Sequence, residues 1–138
     1  MAKALLRLSS AQARRLGQPT SRITKPRLSE SSVAKTIKDF LLAEGWTVLR
    51  LQSGLFQRPG SKDRITIGEK GLPDYVCMRE DSYFDTTAKL FFLETKATNG
   101  KVRPSQEEWM KNAKRRGLKS VVAYSFDQFK EWYANHCL

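Results

Sequence analysis

The chain is poor in the residues that many catalytic and metal sites draw on. It holds two cysteines, Cys77 inside an apolar run and Cys137 one residue from the end. Two such positions make no disulfide framework and no cysteine metal cluster. Cys77 reads as a small buried hydrophobe of a reducing compartment. The one histidine, His136, falls in an expected frayed C-terminus. That argues against a zinc site and against a Ser-His-Asp triad. No apolar run approaches the roughly 20 residues that span a bilayer, so the chain is read as soluble, with no membrane partner. There is no internal repeat and no low-complexity tract. Carboxylates, lysine and a bound ion are what remain for chemistry.

Acids are missing from one region altogether. Residues 1–29 carry Lys3, Arg7, Arg14, Arg15, Arg22, Lys25 and Arg27 and no Asp or Glu. They supply seven of the net +11 charges. Large apolar side chains are sparse there after Leu8, and Gly17, Pro19 and Pro26 interrupt the segment. It reads as a disordered basic arm ahead of a folded domain at 30–138. Three roles compete for the arm: holding a nucleic-acid backbone through counterion release, an organelle transit peptide, and a solubilising tail. With 138 residues the chain fits one domain. Its overall charge points to a polyanion, most simply nucleic acid.

The folded part alternates two periods. Val33, Ile37, Phe40 and Leu41 recur at helical spacing after Ser29, a good N-cap, and before Gly45, a good stop. Glu30 lies three residues before Val33, at the top of that stripe. Trp46 to Leu51 reads as a strand. Leu55 to Ile67 reads as a hairpin around Pro59-Gly60, with Arg58, Lys62 and Arg64 near its tip. Those cations either touch a nucleic-acid backbone or are merely solvated. Strands follow at Tyr75–Arg79 and Lys89–Lys96, joined by the polar stretch Glu80–Ala88. Pro104–Arg116 reads as a helix with a Ser105/Glu108 capping box and Gly117 as its stop. Gln106, Trp109, Met110 and Ala113 share one of its faces. A strand at Lys119–Ser125 comes next. A last helix, capped by Ser125 and Gln128 and running to about Ala134, turns Phe126, Phe129, Trp132 and Tyr133 inward. The expected fold is α/β, a small mixed sheet flanked by helices in the order αβββαβ plus a C-terminal helix.

The strand Lys89-Leu-Phe-Phe-Leu-Glu-Thr-Lys96 ends in opposite charges two residues apart. Strand alternation puts Glu94 and Lys96 on one face, and Phe91, Leu93 and Thr95 on the other. Asp74 opens the neighbouring strand and can converge on Glu94. Two carboxylates with the Thr95 backbone carbonyl would make an oxygen-lined site suited to Mg²⁺ or Mn²⁺. Lys96 would orient a water and offset charge on phosphorus. Glu30 would add a third carboxylate. Gln106, a polar group at the start of a buried face, either serves this site or satisfies a backbone group. The competing reading is a solvated Glu–Lys pair of little consequence.

Three motifs stand in order: Gly71-Leu72-Pro73-Asp74, Glu94-Thr95-Lys96 and Gln106-Glu107-Glu108-Trp109. Together they resemble the PD-(D/E)xK nuclease superfamily, and within it the virus-type replication-repair nuclease family, VRR-NUC. The resemblance runs from about Glu30 to Tyr133. It implies a restriction-endonuclease-like core and a Mg²⁺- or Mn²⁺-dependent DNA endonuclease. Carried over by position, Asp74 and Glu94 are metal ligands, Lys96 is the catalytic lysine, Gln106 an accessory site residue and Glu30 a further ligand. Ser53 sits where related junction resolvases use a serine. Small stand-alone members resemble Holliday-junction resolvases and are often dimers, which implies branched duplex DNA as substrate, a homodimer and a role in DNA repair or recombination. Ser53, Arg58, Lys62, Arg64, Lys101 and Arg103 are the expected DNA contacts. The expected location is the cytoplasm of a bacterial or phage-infected cell, with organelle targeting by the arm as the alternative. A sequence-specific restriction-like endonuclease and a non-catalytic nucleic-acid binder are the competing functions.

Overall fold

A computed structural model of the chain describes residues 26–52, 54–80 and 88–138. The helical stripe after Ser29 becomes helix α1, Glu30–Ala43, with Val33, Ala34, Ile37 and Leu41 buried. The Ser29 hydroxyl accepts the Ser32 N–H at 3.1 Å, satisfying one donor of the first turn. Gly45, at φ +84°, ends the helix in a conformation that disfavours a Cβ.

Strand β1, Thr47–Arg50, follows. Then come β2, Gly54–Gln57, and β3, Arg64–Ile67, which pair with each other as an antiparallel hairpin. Strands β4, Tyr75–Glu80, and β5, Ala88–Thr95, are antiparallel neighbours. Helix α2, Pro104–Arg115, crosses over to β6, Lys119–Ala123, which runs parallel to β5. Helix α3, Phe126–His136, closes the fold. The main sheet has the order β1-β4-β5-β6, so its elements read αβββαβ plus a helix, with β2–β3 inserted after β1. This is the expected small mixed sheet.

Alternation along β5 divides the layers. Phe91 meets Trp46, Phe129 and Trp132 on the side of α1 and α3. Phe92 meets Trp109 of α2 on the other side, edge to face at 4.8 Å. The core proper is on the first side, where Ile37, Leu41, Cys77, Leu93 and Phe129 are fully buried. Each such large side chain contributes about 1.5–3 kcal/mol by leaving water. The Trp46 indole N–H is buried there and donates to the Tyr133 hydroxyl at 3.0 Å. Central β5 is thereby held on both faces, which fixes the position of its C-terminal end.

Three expectations on elements change. The Ser105/Glu108 box does not start α2. Arg103 is the N-cap, and the side chain of Gln106 accepts the Arg103 N–H at 3.0 Å. Pro104 is therefore the first helical residue, where its missing N–H and fixed φ cost nothing. His136 is not frayed but ends α3 as an exposed residue stacked on Trp132. The strand expected from Trp46 starts at Thr47, because the Trp46 N–H is still held by the Leu41 carbonyl at the end of α1, at 2.9 Å. The basic arm up to residue 25, Ser53 and most of the Glu80–Ala88 connection lie outside the described residues. Leu28 is described. Its N–H donates to the Thr98 hydroxyl at 2.8 Å, and its carbonyl accepts the Thr98 N–H at 3.1 Å, which ties the entry of α1 to the end of β5.

Candidate active site

The register of β4 and β5 pairs Tyr75 with Leu93. One step further along the ladder, Asp74 faces Glu94. The Asp74 N–H donates to Glu94 Oε2 at 3.1 Å, and the Asp74 carbonyl accepts the Leu51 N–H at 2.7 Å. The Asp74 carboxylate turns toward Thr95 instead. Its Oδ2 accepts both the Thr95 N–H and the Thr95 hydroxyl, each at 3.0 Å. Asp74 is thus held at three points by two strands. Among the described residues its Oδ1 takes no hydrogen bond.

Pro73 explains why the Thr95 carbonyl is left without a ladder donor. The Lys96 N–H points to β6, where the Ala123 carbonyl accepts it at 2.9 Å. Alternation then turns the Thr95 N–H and C=O toward β4, where the facing residue is the buried Pro73. Proline has no N–H to donate. The ladder ends here, and the Thr95 carbonyl faces the Asp74 side with no strand donor opposite it.

On the other face of β5, Glu94 is 3% exposed and Lys96 9%. Lys96 Nζ lies 2.9 Å from Glu94 Oε1 and donates to Gln106 Oε1 at 3.1 Å. Gln106 Nε2 donates to the same Glu94 oxygen at 2.5 Å. The orientation of the Gln106 amide follows from its partners: its oxygen meets two donors, Lys96 and the Arg103 N–H, and its nitrogen meets a carboxylate. Burial pushes the Glu94 carboxyl above the usual glutamate range, the hydrogen bond from Lys96 pulls it back, and the charge of Asp74 pushes the same way as burial. Such a pair, nearly shielded from water, is costly to break from one side, by about 3–5 kcal/mol.

Gly71 sets the distance between the two motif-bearing segments. It sits at φ +85°, and a Cβ there would lie 2.2 Å from the Ser105 carbonyl oxygen in the first turn of α2. Only glycine lets this loop close on the turn that carries Gln106.

Two grooves are lined in part by residues of this cluster. One, of about 630 Å³, lies between α1 and the ends of β1 and β4. Glu30, Lys38, Arg50, Asp74, Tyr75 and Thr95 line it. The other, of about 470 Å³, lies between the β2–β3 hairpin and the start of α2, and Gln106 lines it. Glu30 is exposed but lines the same groove as Asp74. Burial raises the Tyr75 hydroxyl, Arg50 lowers it, and the charges of Asp74 and Glu30 raise it further, so all four act on one small volume.

The structure therefore brings Asp74, Glu94, Thr95, Lys96 and Gln106 into one hydrogen-bonded cluster and puts Glu30 on its groove. The Gln106 side chain satisfies a backbone N–H and also binds Glu94 and Lys96. Arg58, Lys62 and Arg64 are exposed on the hairpin and Lys101 on the approach to α2, all apart from the cluster. Arg103 lines the second groove. Sequence reasoning missed Lys38, Arg50 and Lys70. Arg50 ends β1 opposite Tyr75, a pairing that only the sheet register reveals.

Oxygen donors are what the cluster has to offer a cation. Each carboxylate keeps acceptor capacity, at Asp74 Oδ1 and Glu94 Oε2. The Thr95 carbonyl adds a neutral oxygen. Among the described residues no three His, Cys, Asp or Glu side chains form a ready-made metal cluster, so Asp74 and Glu94 stand as a pair. No described helix is long and apolar enough to cross a membrane.

Comparison with curated proteins and with solved structures found no significant match. Residues 52–127, more than half of the chain, match the family model of the VRR-NUC domain. The match takes in Asp74, Glu94, Lys96 and Gln106 and leaves out Glu30. With the α/β core and the Asp-Glu-Lys-Gln cluster around the end of its central strand, the chain belongs to the VRR-NUC family and has a nuclease-type function.

Proposed function

We propose that this nuclease hydrolyses phosphodiester bonds of DNA with the help of Mg²⁺ or Mn²⁺, and that it acts on branched DNA such as a four-way junction. The observation that carries the reading is the buried contact of Lys96 with Glu94 at 2.9 Å, beside Asp74 hydrogen-bonded to the same glutamate. A protein that only bound nucleic acid would gain nothing from two carboxylates near phosphate, since they repel it unless a cation intervenes. The donor set fits a hard cation: Asp74, Glu94 and the Thr95 carbonyl would hold it, with Glu30 supplying a further carboxylate from α1. When bound, such an ion polarises the phosphoryl oxygen and lowers the pKa of a coordinated water.

The remaining steps belong to the chain itself. Lys96 presents its ammonium at the carboxylate pair, where it orients the attacking water and offsets the negative charge that grows on the phosphoryl oxygens. Gln106 holds Lys96 and Glu94 in one geometry through its two ends. Arg58, Lys62, Arg64, Lys101 and Arg103 face solvent and add counterion-release affinity for the backbone, with Ser53 a further contact. Residues 1–29 extend that affinity as a basic arm, and a homodimer would present two sites to two strands of a junction.

A cleavage panel tests the reading: four-way junction, flap, single strand and plasmid, each with Mg²⁺, Mn²⁺ or chelator. Metal-dependent cutting that favours the junction is expected. Cutting of linear duplex at one sequence would point to a restriction-like endonuclease. Salt-sensitive binding without cutting under any condition would overturn the catalytic assignment.

A further inference from the structure

The β2–β3 hairpin forms a sheet of its own. Its register sets Phe56 directly opposite Ile65, so the two side chains share one face. Such a cross-strand pair helps to hold a hairpin, yet Phe56 stays 45% exposed and Ile65 41%. Neither belongs to the buried core or packs against it. A two-stranded hairpin is marginal by itself in water, and adjoining apolar side chains left bare on it suit a partner. The charges say which partner. Between Gly54 and Ile67 stand three cations, Arg58, Lys62 and Arg64, and one acid, Asp63. All four are exposed, and none of the cations is in an ion pair among the described residues. Glu69 and Lys70, just beyond the hairpin, carry one charge of each sign. Symmetric contact with a second copy would set the positive surplus against itself. A polyanion that also offers flat apolar surface meets both features.

Duplex DNA offers such a surface where a base pair loses a stacking neighbour. Inside a continuous duplex both faces of every pair are covered. At the branch point of a four-way junction strands change partner duplex, so the step there opens more readily than an internal one. Apolar side chains inserted at a base step hold DNA in an opened form, and an aromatic ring stacks on any base. Gly54 and Leu55, at the base of the hairpin, line the same groove as Gln106, which puts Phe56 one residue from the approach to the active site. We infer that the Phe56–Ile65 face is a wedge that seats on the base pair at the branch point, with Arg58, Lys62 and Arg64 on the phosphates around it. The scissile phosphate then lies close to the branch. The inference rests on branched DNA as the substrate proposed above and goes further by naming the element that tells a branch from continuous duplex.

Binding titrations of the full chain in chelator test it, with a four-way junction and a linear duplex of the same sequence. Phe56→Thr removes the ring but keeps a residue that favours strands, so the hairpin is retained. Phe56→Tyr keeps the ring. Phe56→Thr is expected to lose about tenfold more affinity for the junction than for the duplex, the lower end of what one base–aromatic stack is worth. Phe56→Tyr should keep the native ratio. A 2-aminopurine at the branch-point step, which brightens when it is unstacked, should brighten with the native chain and not with Phe56→Thr. Equal losses on both DNAs, or no change at the branch-point base, would overturn the wedge and leave the nuclease reading standing. Sedimentation of the DNA-free proteins decides the competing occupant: a dimer that Phe56→Thr turns into a monomer would assign the face to a second copy and overturn the wedge. Because binding is read without metal, a native chain that cuts no substrate in Mg²⁺ or Mn²⁺ would overturn the nuclease reading alone.

Discussion

Asp74 and Glu94 are joined through a backbone donor: the N–H of Asp74 reaches Glu94 Oε2 at 3.1 Å. Two carboxylates that would repel each other are held on adjacent strands by a bond that uses the main chain of one and the side chain of the other. Thr95 then holds the free carboxylate of Asp74. The pair is pre-positioned before any substrate or cation arrives, which is what electrostatic catalysis requires.

Lys96 is the first residue to test. Lys96→Ala is expected to lower cleavage by about 10²- to 10³-fold, the usual loss for one charge-stabilising group. Its salt-sensitive DNA affinity should persist, because the exposed cations supply it. Single-turnover rates beside a binding titration separate the two. A matched loss of binding would assign Lys96 to affinity alone.

Gln106 has two jobs that two substitutions can separate. Gln106→Ala removes the partner of the Arg103 N–H and of Lys96 together. Gln106→Glu keeps an acceptor for both but sets a carboxylate against Glu94. If the amide orients the site, both variants lose activity, by about 10- to 100-fold as for other supporting partners. If it only caps α2, Gln106→Glu stays active and just Gln106→Ala is impaired.

Gly71→Ala should destabilise the fold by about 2–4 kcal/mol, from the positive φ and from overlap with the Ser105 carbonyl. Gly60→Ala is the control. Gly60 has φ +78° but open space around its Cβ, so it carries only the conformational cost, about 1 kcal/mol. Urea unfolding of both proteins measures the difference. Equal losses would mean that contact with α2 does not matter.

Glu94 predicts a pH dependence. Its carboxyl is raised in the folded chain, mainly by burial. Between the ordinary glutamate value of about 4.3 and the raised one, the folded state binds more protons than the unfolded. Its contribution to stability therefore falls as pH rises through that window. Glu94→Gln, fixed in the neutral form, should gain stability relative to the parent as pH rises from acid toward neutral, while losing cleavage. Thermal unfolding across pH in chelator checks the sign. A Glu94→Gln protein that loses stability relative to the parent as pH rises would contradict it.

Local patterning made much of this legible from the chain alone. The stripe Val33, Ile37, Leu41 fixed α1 and its face, since helical spacing and a Ser29 cap act within a few residues. Alternation along β5 put Glu94 and Lys96 together, and the structure finds them 2.9 Å apart. Sequence alone also placed Asp74 at the start of the adjoining strand and Gln106 on the inward face of α2. Tertiary structure decided what depends on register and on contacts distant in sequence. The cap of α2 is formed by Arg103 and Gln106 and not by Ser105, and the same Gln106 side chain also meets Glu94 and Lys96, contacts that no local propensity contains. Pro73 matters only because the β4–β5 register sets it opposite Thr95 and ends the ladder there. Gly71 looks like an ordinary turn residue until α2 packs against it. Side-chain types and their periods are written along the chain, whereas the partner across a ladder or a groove is chosen by packing of the whole.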